Sequence, residues 1–238
     1  MDALDDPAWG SLTGVHAALA LRSGRAARYP ADVSPFAGVA APDDGALHDL
    51  TQLVPEGDYV VLFEGAGVLA DSRWQTVQRI EAIQMVCEQR VTPPDREPTL
   101  LSVADVPDML ALVELTHPGP FGPRTLELGR YLGFRDGRRL VAMGGERLQP
   151  AGHVEVSGVC TAPDARGRGL AEAVVRALAS QMQARGELPF LHVQAGSASA
   201  ATATALYARL GFRERRRPTL AVLQRRAPRE RPGATGGP

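Results

Sequence analysis

The segment Pro163-Asp164-Ala165-Arg166-Gly167-Arg168-Gly169-Leu170-Ala171 carries the sharpest chemistry in this 238-residue chain. It lies between His153 to Thr161, which reads as a β-strand, and a run in which Leu170, Val174, Leu178 and Met182 recur every four positions, the mark of an amphipathic helix. A strand, a glycine turn and a helix start together make an anion site. The glycines let the backbone fold tightly against a ligand, and the helix start offers unpaired N–H groups whose dipole attracts an anion by about 0.3–1 kcal/mol. Arg166 and Arg168 add full charges. Taken alone, the same residues read equally well as a plain glycine-rich connection.

Elimination narrows the ligand. A dinucleotide fingerprint needs a third glycine where Glu172 stands, and an acidic residue about 20 positions on, where Leu191 to Ala195 offers none. A phosphate-binding P-loop needs a lysine, and all 26 basic residues are Arg. The missing lysine also removes Schiff-base and lysine-nucleophile chemistry. Coenzyme A is the remaining well-known user of such a loop.

The elements that must position this loop follow from pattern and composition. With 44% hydrophobic, 22% charged and 5% aromatic residues, the chain is globular rather than disordered, collagen-like or membrane-spanning. Trp9 to Tyr29 is expected to be helical and Pro30 to Gly45 a loop or short edge strand, with Asp43 and Asp44 capping a short helix through Leu53. Tyr59 to Phe63 reads as a strand, while Thr76 to Val86 is divided between helical and extended periods. The three prolines of Val91 to Pro98 mark a boundary.

Beyond that boundary, Leu100 to Val103 is a strand and Asp105 caps a helix burying Met109, Leu110, Val113 and Leu115. His117 to Pro123 is a shaped Pro/Gly loop, and Asp136-Gly137 joins a hairpin of Tyr131 to Arg135 with Leu140 to Gly144. Gly158 is placed for a bulge. Phe190 to Val193, Ala200 to Leu210 and Leu220 to Leu223 are strand, helix and strand. The expected units are 1–97, an α/β module; 98–224, the unit bearing the loop; and 225–238, a disordered Arg/Pro/Gly tail.

Residues 1–97 carry a net charge of −8 and the remainder +7. Nucleic-acid binding by the basic half is conceivable on that count, but much of the excess falls in the polar stretch from Arg215 onward and reads as a solvated face, so no nucleic-acid partner is expected. Cys87 and Cys160 form no disulfide framework, the first residues are acidic rather than positive, and no apolar run approaches ~18 residues. These features lead to an expectation of a cytoplasmic protein without a membrane partner. His153-x-Glu155 with Cys160 lacks the second cysteine pair of a zinc deaminase, and no metal is expected.

Over residues 98 to about 224 the sequence resembles the GNAT acetyltransferase superfamily, specifically its FR47-like branch. Arg166, Gly169 and Ala171 match the family's Q/R-x-x-G-x-G/A motif, and Leu206-Tyr207-Ala208-Arg209-Leu210-Gly211-Phe212 matches its L-Y-x-x-x-G-F segment at the usual separation. The resemblance implies an α/β fold of the α+β type: a mixed, mostly antiparallel central sheet flanked by helices. Residues 1–97 precede it as a smaller α/β module, for which a degenerate copy of the same fold is one reading.

It further implies acetyl-CoA as acyl donor, with Val159, Cys160 and Thr161 lining the pantetheine arm and Arg166, Gly167, Arg168, Gly169, Leu170 and Ala171 wrapping the pyrophosphate. Tyr207 would protonate the departing thiolate; the alternative is a core tyrosine. Strand alternation sets His153, Glu155 and Ser157 on one face, where Glu155 either takes a proton or pairs with an Arg such as Arg147. His153 is a weaker candidate, His192 reads as a core or ligand-edge histidine, and the Cys160 thiol as inert. The family's Asn seven positions before the tyrosine is Ala200 here, with Ser197 the nearest polar substitute.

The expected activity is acetyl transfer to a primary amine of a small-molecule or peptide acceptor, by direct attack in a ternary complex. A coenzyme A-binding sensor or interaction module without turnover is the alternative. A homodimer is left open.

Overall fold

Trp74–Val86 (β5) is extended over 13 residues, so the contest between periods at 76–86 resolves to a strand. β-branched Thr76, Val77, Ile80, Ile83 and Val86 favour that outcome once both strand edges are paired. A computed structural model describes residues 2–64 and 71–227. Within it β5 joins the two halves of the chain. One edge pairs antiparallel with Leu188–Gln194 (β10), and the other with Arg213–Arg216 (β11) and Thr219–Arg225 (β12).

The main sheet runs from Tyr59–Phe63 (β4) through β12, β5 and β10 to His153–Thr161 (β9), Arg139–Glu146 (β8), Tyr131–Asp136 (β7) and Thr99–Leu100 (β6). Its pairings among the described residues are antiparallel except for β9 with β10. The fold class is therefore as expected. The hairpin around Asp136-Gly137 forms with Gly137 at φ +58, the turn geometry that Asp-Gly provides.

Helices Val106–Thr116 (α3), Leu170–Ala184 (α4) and Ala200–Arg209 (α5) pack against the largest core cluster. α4 buries Leu170, Val174, Val175, Leu178 and Met182, each worth about 1.5–3 kcal/mol of transfer free energy. α3 buries only Met109 and Leu112; Leu115 is 55% exposed, because the helix turns that side chain away from the sheet. A separate cluster gathers Leu4, Ala8, Leu12, Tyr29 and Phe36 of the N-terminal segment with Ala82, Leu148 and Phe190.

The first 30 residues depart from expectation. The helix covers only Pro7–Thr13 (α1), stopping before Gly14, and Leu21–Ser23 (β1) and Ala26–Arg28 (β2) form a hairpin with Gly24 at φ +48. Arg22, Arg25 and Arg28 mimic a helical face at three-residue spacing, but the glycines on either side of 15–23 permit the tighter path. Ala37–Val39 (β3) completes this small sheet, and Asp43 caps Asp44–Thr51 (α2) by accepting from the Ala46 N–H. The tail expected at 225–238 begins inside β12, and 228–238 lie outside the described residues.

Candidate active site

β9 and β10 pair in parallel only from His153–Leu188 to Glu155–Phe190. Past that point β9 stays with β8, and β10 with β5 through Gln194. The two central strands thus part at Glu155, opening a wedge in the sheet. On the β8 side the register slips between Met143 and Gly145, and Gly158 takes φ +62, so β9 bulges just beyond the vertex. A Cβ on Gly144 would stand 3.1 Å from Val159 Cγ2 and 2.9 Å from Val174 Cγ1, which explains a glycine facing the bulge.

β9 then delivers the chain to the glycine loop. Pro163–Ala165 makes one 3₁₀ turn, Gly167 and Gly169 sit at φ +74 and +71, and α4 starts at Leu170 with no side-chain cap. A Cβ added to either glycine would meet nothing within 4 Å, so both are required by their dihedrals and not by crowding. The N–H groups from Gly167 to Glu172 have no acceptor among the described residues. Arg166 is exposed beside them, while Arg168 reaches Asp136 at 3.0 Å and Arg139 pairs with Asp164.

Two further polar atoms near this path are buried without partners: Thr161 Oγ1, at the end of β9, and Thr204 Oγ1, one turn before Tyr207 on α5. Free amides, an exposed Arg and orphaned hydroxyls fit a polyanionic cofactor with an amide-bearing arm. Cys160 turns its thiol into the core, where burial pushes it up to about 11, so only its backbone is available to such an arm. Ser197 lies in the turn from β10 into α5 and is half-buried.

Tyr207 is half-buried on α5, its ring centroid 5.9 Å from that of Phe212. Burial pushes its phenol up to about 12. The group is neutral, with a proton to give, throughout the physiological range.

Of the two roles foreseen for Glu155, the structure realises the ion pair. The carboxylate is 0% exposed. Oε1 accepts from Arg147 Nη2 at 2.7 Å and faces His192 Nδ1 at 2.7 Å, while Oε2 accepts from Arg147 Nε at 2.8 Å and the Leu148 N–H at 3.3 Å. Despite the opposing desolvation, Arg147 and His192 hold it down at about 2. A carboxylate so ionised and so fully occupied is a poor proton acceptor.

Sequence reasoning missed what lies behind this pair. Gln84 on β5 places Nε2 3.0 Å from His192 Nε2 and 2.9 Å from the Leu4 carbonyl, while its Oε1 accepts from Arg215 Nη1 at 2.8 Å. Arg215 fixes the amide, so Gln84 donates to His192 Nε2, and His192 must donate from Nδ1 to Glu155. Arg215 also binds Asp5 and Asp2, both at 2.9 Å. No local pattern marks Gln84, since its partners are 80 to 131 residues distant.

His153 lies away from the wedge, at the paired end of β9, bonded to the Ala151 carbonyl. Arg124 is engaged by Glu127 and Asp32. Among the described residues no cluster of His, Cys, Asp and Glu is placed to hold a metal, and no helix is long and apolar enough to cross a membrane.

A bulged strand parting from its parallel neighbour, with a glycine loop and capless helix at its end, defines an acyl-CoA-dependent transferase class of fold, and the comparisons agree. The family model "FR47-like protein" matches residues 131–220. A GNAT-family protein from Novosphingobium aromaticivorans, assigned as an acetyltransferase, is similar at 37% identity and TM-score 0.86, covering 95% of this chain and 100% of that one. This chain belongs to the GNAT acetyltransferase family. A GCN5-related N-acetyltransferase from Kribbella flavida (18% identity, TM-score 0.61, 88% and 90% covered) shares the fold. So does a GCN5-related N-acetyltransferase-like protein from Streptococcus suis (16%, 0.58, 92% of each). No curated protein matches.

Proposed function

We propose that the protein transfers an acetyl group from acetyl-CoA to a primary amine by direct attack in a ternary complex. The observation that carries this reading is the wedge between β9 and β10, which opens beside the unpaired N–H groups of Gly167 to Glu172. Acetyl-CoA supplies the thioester and a thiolate leaving group. The pyrophosphate falls to the backbone of Arg166 to Ala171 with the Arg166 and Arg168 charges. The backbone of Val159, Cys160 and Thr161 takes the pantetheine arm, and Ser197 stands in for the family's Asn. Tyr207 holds the proton that the departing sulfur needs, since its phenol is neutral until about pH 12. Glu155 keeps Arg147 and His192 in place and moves no proton.

The N-terminal module shapes the acceptor side. Thr125 Oγ1 donates to the Val33 carbonyl at 2.8 Å and the Arg124 N–H to the Asp32 carbonyl at 3.0 Å, which ties the end of the Pro/Gly loop to residues 32–33.

A second reading, a coenzyme A-binding module without turnover, draws on the occupied Glu155 and on Ala200 in place of Asn. Thiol release from acetyl-CoA over a panel of primary amines, run beside calorimetric titration of acetyl-CoA, separates the two. Amine-dependent release that is lost in Tyr207→Phe supports transfer. Binding without release on any amine favours the module, and no binding ends both.

A further inference from the structure

Gly144 and Gly145 open β8 on opposite sides. Gly144 makes room for Val159 and Val174, whereas a Cβ on Gly145 would lie 2.4 Å from Tyr131 ring atoms. The Tyr131 ring therefore lies flat over β8 and reaches β9: a Cβ built on Gly158 would stand 3.5 Å from Tyr131 Cε1 and 3.9 Å from its hydroxyl. The register sets Tyr131, Gly145 and Ser157 in one row across three strands, directly before the bulge. Phe121 of the Pro/Gly loop closes the row edge-on, its ring centroid 5.5 Å from that of Tyr131.

The two hydroxyls in this row are unusual in being unengaged. Tyr131 is 1% exposed and Ser157 half-buried; neither Oη nor Oγ bonds another described residue, and neither is among the atoms buried without a partner, so both hydroxyls reach solvent at the bulge. Burial raises the Tyr131 phenol well above its ordinary range, with Glu155 adding to the effect and Arg147 opposing it, so it stays neutral. Of the charged groups that act on it, Arg147 pairs with Glu155, and Glu146 pairs with Arg185. A glycine spent to bring a phenol to the bulge leaves its hydroxyl open there to a ligand that replaces water.

Resting on the transfer reading above, we infer that Tyr131 Oη and Ser157 Oγ hold the acceptor's amine against the β9 bulge, and that they take it as the uncharged base. Hydroxyls beside a neutralised ion pair can donate to and accept from an –NH₂ group, whereas they offer an ammonium no counter-charge. The acceptor class is then a weakly basic amine, already deprotonated near neutrality.

The test is thiol release from acetyl-CoA with hydroxylamine, a weakly basic nucleophile, and with ethylamine, a strongly basic one, in wild type, Tyr131→Phe and Ser157→Ala. The Phe variant keeps the ring on Gly145 and Phe121. At neutral pH wild type is expected to prefer hydroxylamine. Each variant should lower kcat/KM for hydroxylamine about tenfold, the factor carried by one neutral hydrogen bond, while the acetyl-CoA dissociation constant stays within about twofold. Wild-type kcat/KM in both variants, an equal loss of acetyl-CoA affinity, or preference for ethylamine at neutral pH would each overturn the inference while leaving transfer standing. Absence of release in wild type with either amine, despite acetyl-CoA binding, would remove the transfer reading and this inference with it.

Discussion

Replacing Glu155 by Gln changes one oxygen for nitrogen but strands Arg147, whose side chain is only 12% exposed, without a counter-ion. Displacement of the carboxyl from 4.5 to about 2 corresponds to about 3 kcal/mol of folding free energy. Breaking a buried pair from one side costs about 3–5 kcal/mol in general, so the two routes agree. Because the folded-state value is depressed, this stability is fully present above about pH 4.5 and is lost as pH falls toward 2. Urea denaturation of wild type and Glu155→Gln at neutral pH should show that gap, and it should narrow at about pH 3, where the unfolded chain's carboxyl takes up a proton while the folded one is still mostly ionised. The double variant Glu155→Leu with Arg147→Met should recover most of the loss, because no lone charge stays buried. Equal stability at neutral pH, or a gap that does not shrink in acid, would refute the reasoning.

Tyr207→Phe should cut amine-dependent thiol release by about 10²–10⁴ while calorimetry finds acetyl-CoA binding unchanged; a smaller loss would leave Tyr207 as packing for Phe212. Gly169→Ala forces a Cβ into φ +71 and should cost about 1–2 kcal/mol in denaturation midpoint as well as weaken acetyl-CoA binding, whereas an unaltered dissociation constant would detach the helix start from the cofactor. Arg215→Ala should release Asp2, leave Asp5 to Arg216 alone and speed amide hydrogen exchange over residues 2–8; retained protection there would show that Arg216 and the apolar packing of Leu4 and Ala8 suffice.

Legibility in the sequence followed the range of the interactions. The α4 period, the Asp-Gly hairpin and the bulge glycine are short-range signals, and each element lies where its own residues direct. β5 was ambiguous because its geometry is decided by β10 on one edge and β11 and β12 on the other, strands more than 100 residues away. The error at 9–29 is of the same kind: Arg22, Arg25 and Arg28 have helical spacing, but Ala26 and Ala27 are wanted as buried strand residues by different cores. At the site, the glycine loop and Tyr207 stand in contiguous motifs. Tyr131 carries no motif, and its placement becomes readable only once Gly145 is known to lie beneath it.

The same long-range pairing bears on the division at residue 97. Among the described residues β10 has no strand on its β9 side past Glu155, and β5 is the strand that pairs with its backbone from there to Gln194. A wedge that opens on one edge needs a fixed strand on the other, since an unpaired β10 would expose a row of N–H and C=O groups or close back onto β9. β5 fixes that edge from the N-terminal half, and the chain from Glu155 through His192 and Gln84 to Arg215 and Asp5 crosses the same seam in side chains. The N-terminal residues therefore do more than cover one face of the sheet: by holding β10 to β5 they keep open the gap between β9 and β10.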